Sequence, residues 1–398
     1  MEAGRKLGRA TATCVAIFLA TGLFLIFGTQ HTDAHTPVTS KYDYNKDVFP
    51  LLRDHCGGCH VPGGPAPMSL VTYGAAMPWA ESIREELTAG RMPPWPVDPT
   101  SPAVSLPVGL AIRGGDAISS HDLDVMVVWA SGGTPQGDPD AKLPEVTFHP
   151  AWKLGPPDLK IQMDAEHTVG PSAVEEVRDF ILPTNLTGTK WIKAADLMPG
   201  TAAIVRDAII SIENGPVLAL WQPGNDATPA PGNAGFRLAP GSKIHLQIHY
   251  KKHFDQEQNA VSDRSTVGLY FADSAAKVQE LQSFTIDPPK AGGDPSGPAG
   301  FGGALPRAAR IVALRPMLDR GYQSLNVDAI TPSGEDLPLL RLRGPQPQWF
   351  RRYWLLKSLE IPAGSKITVH VTPLPDDSDQ PKVTRQFPLQ VVLDYVPL

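Results

Sequence analysis

Cys56-Gly57-Gly58-Cys59-His60 gathers, in five residues, the groups best suited to chemistry in this chain. C-x-x-C-H is the attachment signature for c-type haem. Two thiols two residues apart can reach the two vinyl groups on one porphyrin edge and form thioethers, and Gly57 and Gly58 let the backbone turn tightly between them. His60 then falls beneath the iron as an axial ligand. Two other readings of the pair lack support in the surrounding sequence. A dithiol redox site calls for a βαβ context, and a zinc site calls for more Cys or His ligands at set spacing, where only His55 is near. The implied cofactor is one covalent haem c on Cys56 and Cys59.

A second axial ligand can come from Met68, Met77, Met92 or Met126. Met126 falls on the apolar face of a helix, and Met77 precedes a helix start. Met92, in "GRMPPW", follows a helix end and is stiffened by two prolines. A thioether offered from such a loop suits His/Met ligation, so Met92 is favoured. Arg91 beside it is a candidate partner for a haem propionate.

Short helices are expected to hold this site. "YDYNKDVFPLLRDHC" reads as a helix with Asn45 as its N-cap and Val48, Leu51 and Leu52 on its apolar face. "MPWAESIREELTAG" places Pro78 at a first helical position and Gly90 past the end. "SSHDLDVMVVWASGG" carries a Ser119–Asp122 capping box and stops at Gly132–Gly133. Together they outline a small all-α cytochrome c domain over residues 37–140. Residues 141–175 read as a connecting segment. Beyond them, strand-length runs such as "KIHLQIHY", "ARIVALRPM" and "KITVHVTP", separated by Gly, Pro, Asn and Asp, predict two all-β jelly-roll (β-sandwich) domains over 176–275 and 276–398. The 42 prolines and 36 glycines fit short strands better than long helices.

The first residues carry Arg5, Lys6 and Arg9, then an uncharged apolar run from Thr11 to Phe27. Residues 1–36 therefore read as an export signal or membrane anchor, slightly favouring the anchor, with the rest of the chain periplasmic. Cys14 lies inside the run and receives no role. The net charge of −6 offers no basic surface for nucleic acid. "NLTG" at Asn185 and the acidic Asp376–Asp379 turn carry no functional assignment.

The stretch from "YNKDVFPLLRDHCGGCH" to "ELTAGRMPPW" resembles the cytochrome c module of a bacterial family. In that family it is fused to a region similar to copper type II, ascorbate-dependent monooxygenases of the peptidylglycine hydroxylating class. The likeness extends through "KWIKAADLMPGTAAIVRDAI", "APGSKIHLQIHYKKH" and "LRPMLDRGYQSLNV". It implies two jelly rolls and haem ligation by His60 and Met92. It also implies copper positions, of which most lack a donor here. Arg206 and Asp207 stand where the paired histidines would be, Pro316 and Leu318 at the second pair, and Val396 near the methionine. Only His249 is kept, as a remnant copper ligand or as a structural histidine. Its neighbours His245 and His253 form an alternative cluster beside Lys251 and Lys252. Because arginine, proline and leucine do not bind copper, copper is not expected.

The sequence thus describes an exported, anchored mono-haem electron carrier with no catalytic residues. Its degenerate monooxygenase-like scaffold is read as a docking surface for an unknown redox partner. A copper monooxygenase fed by its own haem domain, and a haem-bearing subunit of a membrane respiratory complex, are the alternatives.

Overall fold

A computed structural model describes residues 39–94, 118–146, 151–225, 227–272, 277–289, 299–374, 385 and 387–398. The N-terminal apolar run with Cys14 and the Asp376–Asp379 turn lie outside these residues. Among the described residues no helix is long and apolar enough to cross a membrane.

The front of the described chain is built from short helical pieces. A three-residue α segment, Phe49–Leu51, lies between two π turns, Tyr44–Val48 and Leu52–Cys56. Asp43 caps this run by accepting a hydrogen bond from the Lys46 N–H, in place of the expected Asn45. The Asn45 side chain instead donates to the Asp138 carbonyl at 2.6 Å. Pro78 falls in a 3-10 turn, Met77–Trp79, that leads into helix α1, Ala80–Thr88. Gly90, at φ 66°, turns the chain out of α1 in the left-handed conformation that glycine adopts without strain. Helix α2, Ser120–Ser131, starts on Ser119, whose hydroxyl accepts from the Asp122 N–H at 3.1 Å, and ends at Gly132. The pieces close on a small core of Tyr44, Phe49, Leu52, Leu87, Met126 and Trp129.

The remainder is sheet. Sheet 1 runs Leu159–Gln162, Thr266–Phe271, Lys190–Met198, Ala234–Leu238, Gln279–Glu280, with only the last pairing parallel. Sheet 2 runs Glu175–Pro183, Lys243–Lys251, Val205–Ile212, Val217–Trp221. Sheet 3 runs Gln282–Ile286, Gln390–Pro397, Ala309–Met317, Tyr353–Ile361. Sheet 4 runs Ala299–Ala304, Lys366–Pro373, Tyr322–Ile330, Asp336–Arg343. A two-stranded ribbon pairs His167–Val169 with Val261–Asp263. Two of these strands, Leu159–Gln162 and His167–Val169, fall inside the segment expected to be a connection.

This arrangement corrects the expected fold class of an all-α cytochrome c domain followed by two all-β jelly rolls. The molecule is mostly β, 41% strand against 15% helix, and no all-α domain is evident. The physical reason lies in the punctuation: Gly90 and Gly132 end helices of nine and twelve residues, and Pro50 and Pro78 sit in short α and 3-10 segments, leaving turns to make up much of the lobe. Nor do the strands form two self-contained jelly rolls. Residues of sheets 1 and 2 share one core, including Ile192, Ile210, Phe236 and Ile248, and Val312, Ala313, Trp354 and Val396 of sheet 3 belong to it as well. Ile311, Leu314, Leu355 and Leu393 of the same sheet join sheet 4 in a second core. The central strands of sheet 3, Ala309–Met317 and Gln390–Pro397, are thus buried on both faces, and Ser40–Leu398 forms one unit.

Candidate haem site

The two cysteines sit where the second π turn ends. Cys59 and His60 both donate their backbone N–H to the Cys56 carbonyl, at 3.1 and 2.9 Å. Gly57 is required there, because a Cβ at that position would lie 2.3 Å from the Arg53 carbonyl oxygen. Both thiols are free. Burial pushes Cys56 up to about 12 and Cys59 up to about 11, so both are neutral thiols at physiological pH.

His60 is held from several directions. Its carbonyl accepts from the Leu70 N–H at 3.0 Å, and the Leu70 carbonyl accepts from the buried Tyr44 hydroxyl at 2.9 Å. Its ring Nδ1 lies 3.2 Å from the Met68 carbonyl oxygen. A carbonyl only accepts, so Nδ1 carries the hydrogen of that bond, and in the neutral ring Nε2 keeps its lone pair. Burial lowers the His60 pKa despite the opposing hydrogen bond to Met68, which favours the neutral ring. Among the described residues no hydrogen bond engages Nε2.

This donor set fits a covalently held haem: two reduced thiols at the correct spacing and an imidazole whose orienting hydrogen bond leaves the metal-facing nitrogen available. The four methionines are separated. Met126 is fully buried and Met68 packs on the same core, while Met77 is 41% exposed. Met92 is half-buried in the loop after α1, its N–H donating to the Glu86 carbonyl at 3.3 Å, and it is not part of the apolar core. Arg91 pairs with Glu86 at 2.7 Å, which occupies its guanidinium.

The cysteine loop docks on the sheet region. Cys59 Sγ lies 3.4 Å from the Pro223 carbonyl oxygen, and a Cβ on Gly224 would sit 3.5 Å from the same sulfur. His253 Nε2 lies 3.0 Å from the Pro65 carbonyl oxygen. These contacts span more than 160 residues of sequence, and no local signal announces them.

Behind this contact, the positions tied to copper by resemblance resolve into an ion network. Asp207 and His249 are register partners on neighbouring strands of sheet 2. Asp207 Oδ2 lies 2.8 Å from His249 Nδ1, and Glu175 Oε1 lies 2.7 Å from His249 Nε2. Arg385 pairs with the other Asp207 oxygen, and Lys251 approaches Glu175 at 3.3 Å. Both nitrogens of His249 are therefore taken by carboxylates. His245 turns to Asp179 at 2.8 Å and His253 to Pro65, so the three histidines do not converge. Among the described residues no group of three His, Cys, Asp or Glu is placed to hold a metal ion. In sheet 3 Pro316 pairs with Val391 whereas Val396 pairs with Arg310. Six strand positions separate them, roughly 20 Å at the rise of a β-strand. Glu175 and Arg385 escaped the sequence reading because their partners are 74 and 178 residues away.

No family model matches this chain, and no curated protein matches it. Among solved structures, it is similar to the major capsid protein P2 of bacteriophage PM2, with 8% identity, covering 60% of this chain and 96% of that one at a TM-score of 0.28. It is also similar to the PBSX exported protein XepA, with 10% identity over 58% of this chain and 99% of that one at a TM-score of 0.19. A Paenibacillus xanthan lyase is similar at 14% identity over 67% of this chain and 28% of that one, with a TM-score of 0.16. Likenesses of this size carry no argument about activity.

Proposed function

We propose that this chain is an exported mono-haem c-type electron carrier, with Cys56 and Cys59 as thioether anchors and His60 as axial ligand. The observation that carries the reading is the His60 ring: the Met68 carbonyl on Nδ1 leaves Nε2 available within a C-x-x-C-H loop whose two thiols are unpaired. Met92 would be the second iron ligand, as the methionine offered from a proline-stiffened loop outside the core. When bound, haem would supply a one-electron couple. Cys56 and Cys59 would hold the ring edge, and the Met68 carbonyl on Nδ1 would fix the imidazole.

The reading does not depend on a cytochrome fold. It rests on five contiguous residues and the hydrogen bonds that shape them. Copper has no role in it, because both nitrogens of His249 are engaged by Asp207 and Glu175. The sheets are assigned to docking a redox partner, with the N-terminal apolar run directing export and anchoring. The resemblance to cytochrome c–monooxygenase fusions supports this division of labour.

The test is covalent haem. Expressed with haem-attachment machinery in an oxidising compartment, the full chain should carry one haem that survives denaturing electrophoresis and gives a c-type pyridine haemochrome. Cys56→Ala and Cys59→Ala together should abolish it. A chain that takes up no covalent haem under these conditions would sink the reading.

A further inference from the structure

We propose that Lys252 and His253 form a latch that seats the haem loop on the end of sheet 2, with Lys252 bracing the turn and His253 gripping the loop at Pro65. The role at the haem rests on the reading above and deepens it, by naming residues that position the loop carrying Cys59 and His60.

The latch follows directly on the strand Lys243–Lys251. The Lys252 N–H donates to the Val174 carbonyl at 2.9 Å, which keeps the chain on its neighbour one residue past the strand. The Lys252 side chain is buried, with the residue only 3% exposed. Its ammonium donates to the carbonyls of Gly170 at 2.7 Å, Asn259 at 2.8 Å and Glu257 at 3.2 Å. An ammonium has three donors, and all three are used. Hydrogen bonds from a charged donor are stronger than neutral ones. These join Gly170 to the far end of the loop 253–259. Inside that loop the 3-10 turn Phe254–Gln256 is closed by the Gln256 N–H on the His253 carbonyl at 2.9 Å.

His253 is thereby held by its own backbone while its ring reaches the haem loop. Its Nε2 lies 3.0 Å from the Pro65 carbonyl oxygen. A carbonyl only accepts, so Nε2 donates. Pro65 is buried, and leaving its carbonyl unpaired would be costly. The next residue, Ala66, donates its N–H to the Cys59 carbonyl at 3.3 Å. Met68, whose carbonyl lies against His60 Nδ1, follows two residues later. The loop is thus anchored to the sheet region by Cys59 against Pro223 and by Pro65 against His253. Releasing Pro65 removes one anchor and lets the loop lift more often.

Both residues are positioning residues that act through the loop, as outer-shell partners do. The experiment is amide hydrogen exchange of the full chain as purified, read by mass spectrometry over residues 61–72, on wild type, His253→Phe, His253→Gln and Lys252→Met. His253→Phe keeps the ring volume and removes the donor. It should speed exchange in this segment about tenfold, the effect of losing one hydrogen bond. His253→Gln keeps a side-chain N–H and should return the rate towards wild type. Lys252→Met should also speed exchange, and adding His253→Phe to it should add little, because the two residues form one device. Exchange in His253→Phe equal to wild type would overturn the latch, and so would equal acceleration in His253→Phe and His253→Gln. The His253 variants carry the test should Lys252→Met fail to fold. In the haem-loaded chain His253→Phe should also shift the midpoint potential negative, since a more exposed haem favours the oxidised state, and His253→Gln should restore it. Faster exchange with an unchanged potential would overturn the role at the haem. A wild-type chain without covalent haem would overturn that role and the haem reading together, while the exchange rates still decide the latch.

Discussion

His60 Nδ1 lies 3.2 Å from the carbonyl oxygen of Met68, eight residues along the chain, and this contact decides which imidazole nitrogen is available to a metal. The loop between them is closed by the Leu70 N–H on the His60 carbonyl and by the Gly64 N–H on the Val61 carbonyl. His60 is thus oriented by backbone groups, which point substitutions of neighbouring side chains cannot remove. His60→Ala should still allow thioether formation, because that chemistry belongs to the cysteines. It should convert the haem from a low-spin to a high-spin optical spectrum. A low-spin spectrum unchanged in His60→Ala would show that another residue ligates the iron.

Met92 is tested by the sulfur–iron charge-transfer band of the oxidised protein. The band should be present in wild type and absent from Met92→Ala, with covalent haem retained in both. Its survival in Met92→Ala would transfer the role to another methionine, of which Met68 is the nearest to His60 in sequence.

Gly57 is a steric requirement. An alanine there would put a methyl carbon 2.3 Å from the Arg53 carbonyl oxygen, a backbone atom that cannot move without unwinding the π turn Leu52–Cys56. Gly57→Ala should misplace Cys56 relative to Cys59 and cut covalent haem incorporation to a small fraction of wild type, read by haem staining against total protein. Gly63→Ala, in the same loop, meets no atom within 4 Å of its Cβ but sits at φ 74°. It should cost about 1–2 kcal/mol of stability and leave haem incorporation intact.

What was legible in the sequence was local. The Ser119 cap, the Gly90 stop and the C-x-x-C-H loop each depend on residues within a few positions of one another. Asp43 displaced Asn45 as the first cap because Asn45 had a better partner in Asp138, 93 residues on. The helices were legible one by one, but composition gave no warning that they would amount to a small lobe rather than an all-α domain. The sheet runs were legible as strands, yet alternation along one strand does not say which core each face meets. Only the assembled chain shows Val312 and Ile311 facing different cores. The neutralising partners of Asp207 and Glu175 were invisible for the same reason.

His249 gives a prediction about metals. Its imidazole bridges Asp207 and Glu175 inside the fold, so its role is structural. His249→Ala should leave one oxygen of each carboxylate without its partner. Breaking a buried charged network in this way costs about 3–5 kcal/mol, readable as a lowered denaturant midpoint. Copper titrated into wild type and into His249→Ala by calorimetry should give indistinguishable heats. Saturable uptake of one copper by wild type, lost in His249→Ala, would reinstate the metal reading.

Asp394 makes the stability of the sheets depend on acid. It is fully buried in sheet 3 and bonded to Arg315 Nε at 2.9 Å and Arg352 Nε at 2.8 Å, with the Ser283 hydroxyl at 2.6 Å. Burial alone would raise its pKa, but the Arg352 and Arg315 charges and the hydrogen bonds from Arg315 and Ser283 outweigh burial and hold the carboxyl below its ordinary value of 3.8. A carboxyl depressed in the folded state contributes stability that is complete above its unfolded pKa and is lost as pH falls through the lower folded value. Arg352 also donates to the Leu218 and Val217 carbonyls of sheet 2, so the same cluster ties sheet 3 to its neighbour. Asp394→Asn leaves two buried guanidiniums without their counter-charge and should cost about 3–5 kcal/mol near neutral pH. The gap between wild type and Asp394→Asn should close as pH drops below about 3.9, where the unfolded carboxyl takes up its proton. A gap that stays constant from neutral pH to acid would show that the carboxylate charge contributes nothing to holding sheets 2 and 3 together.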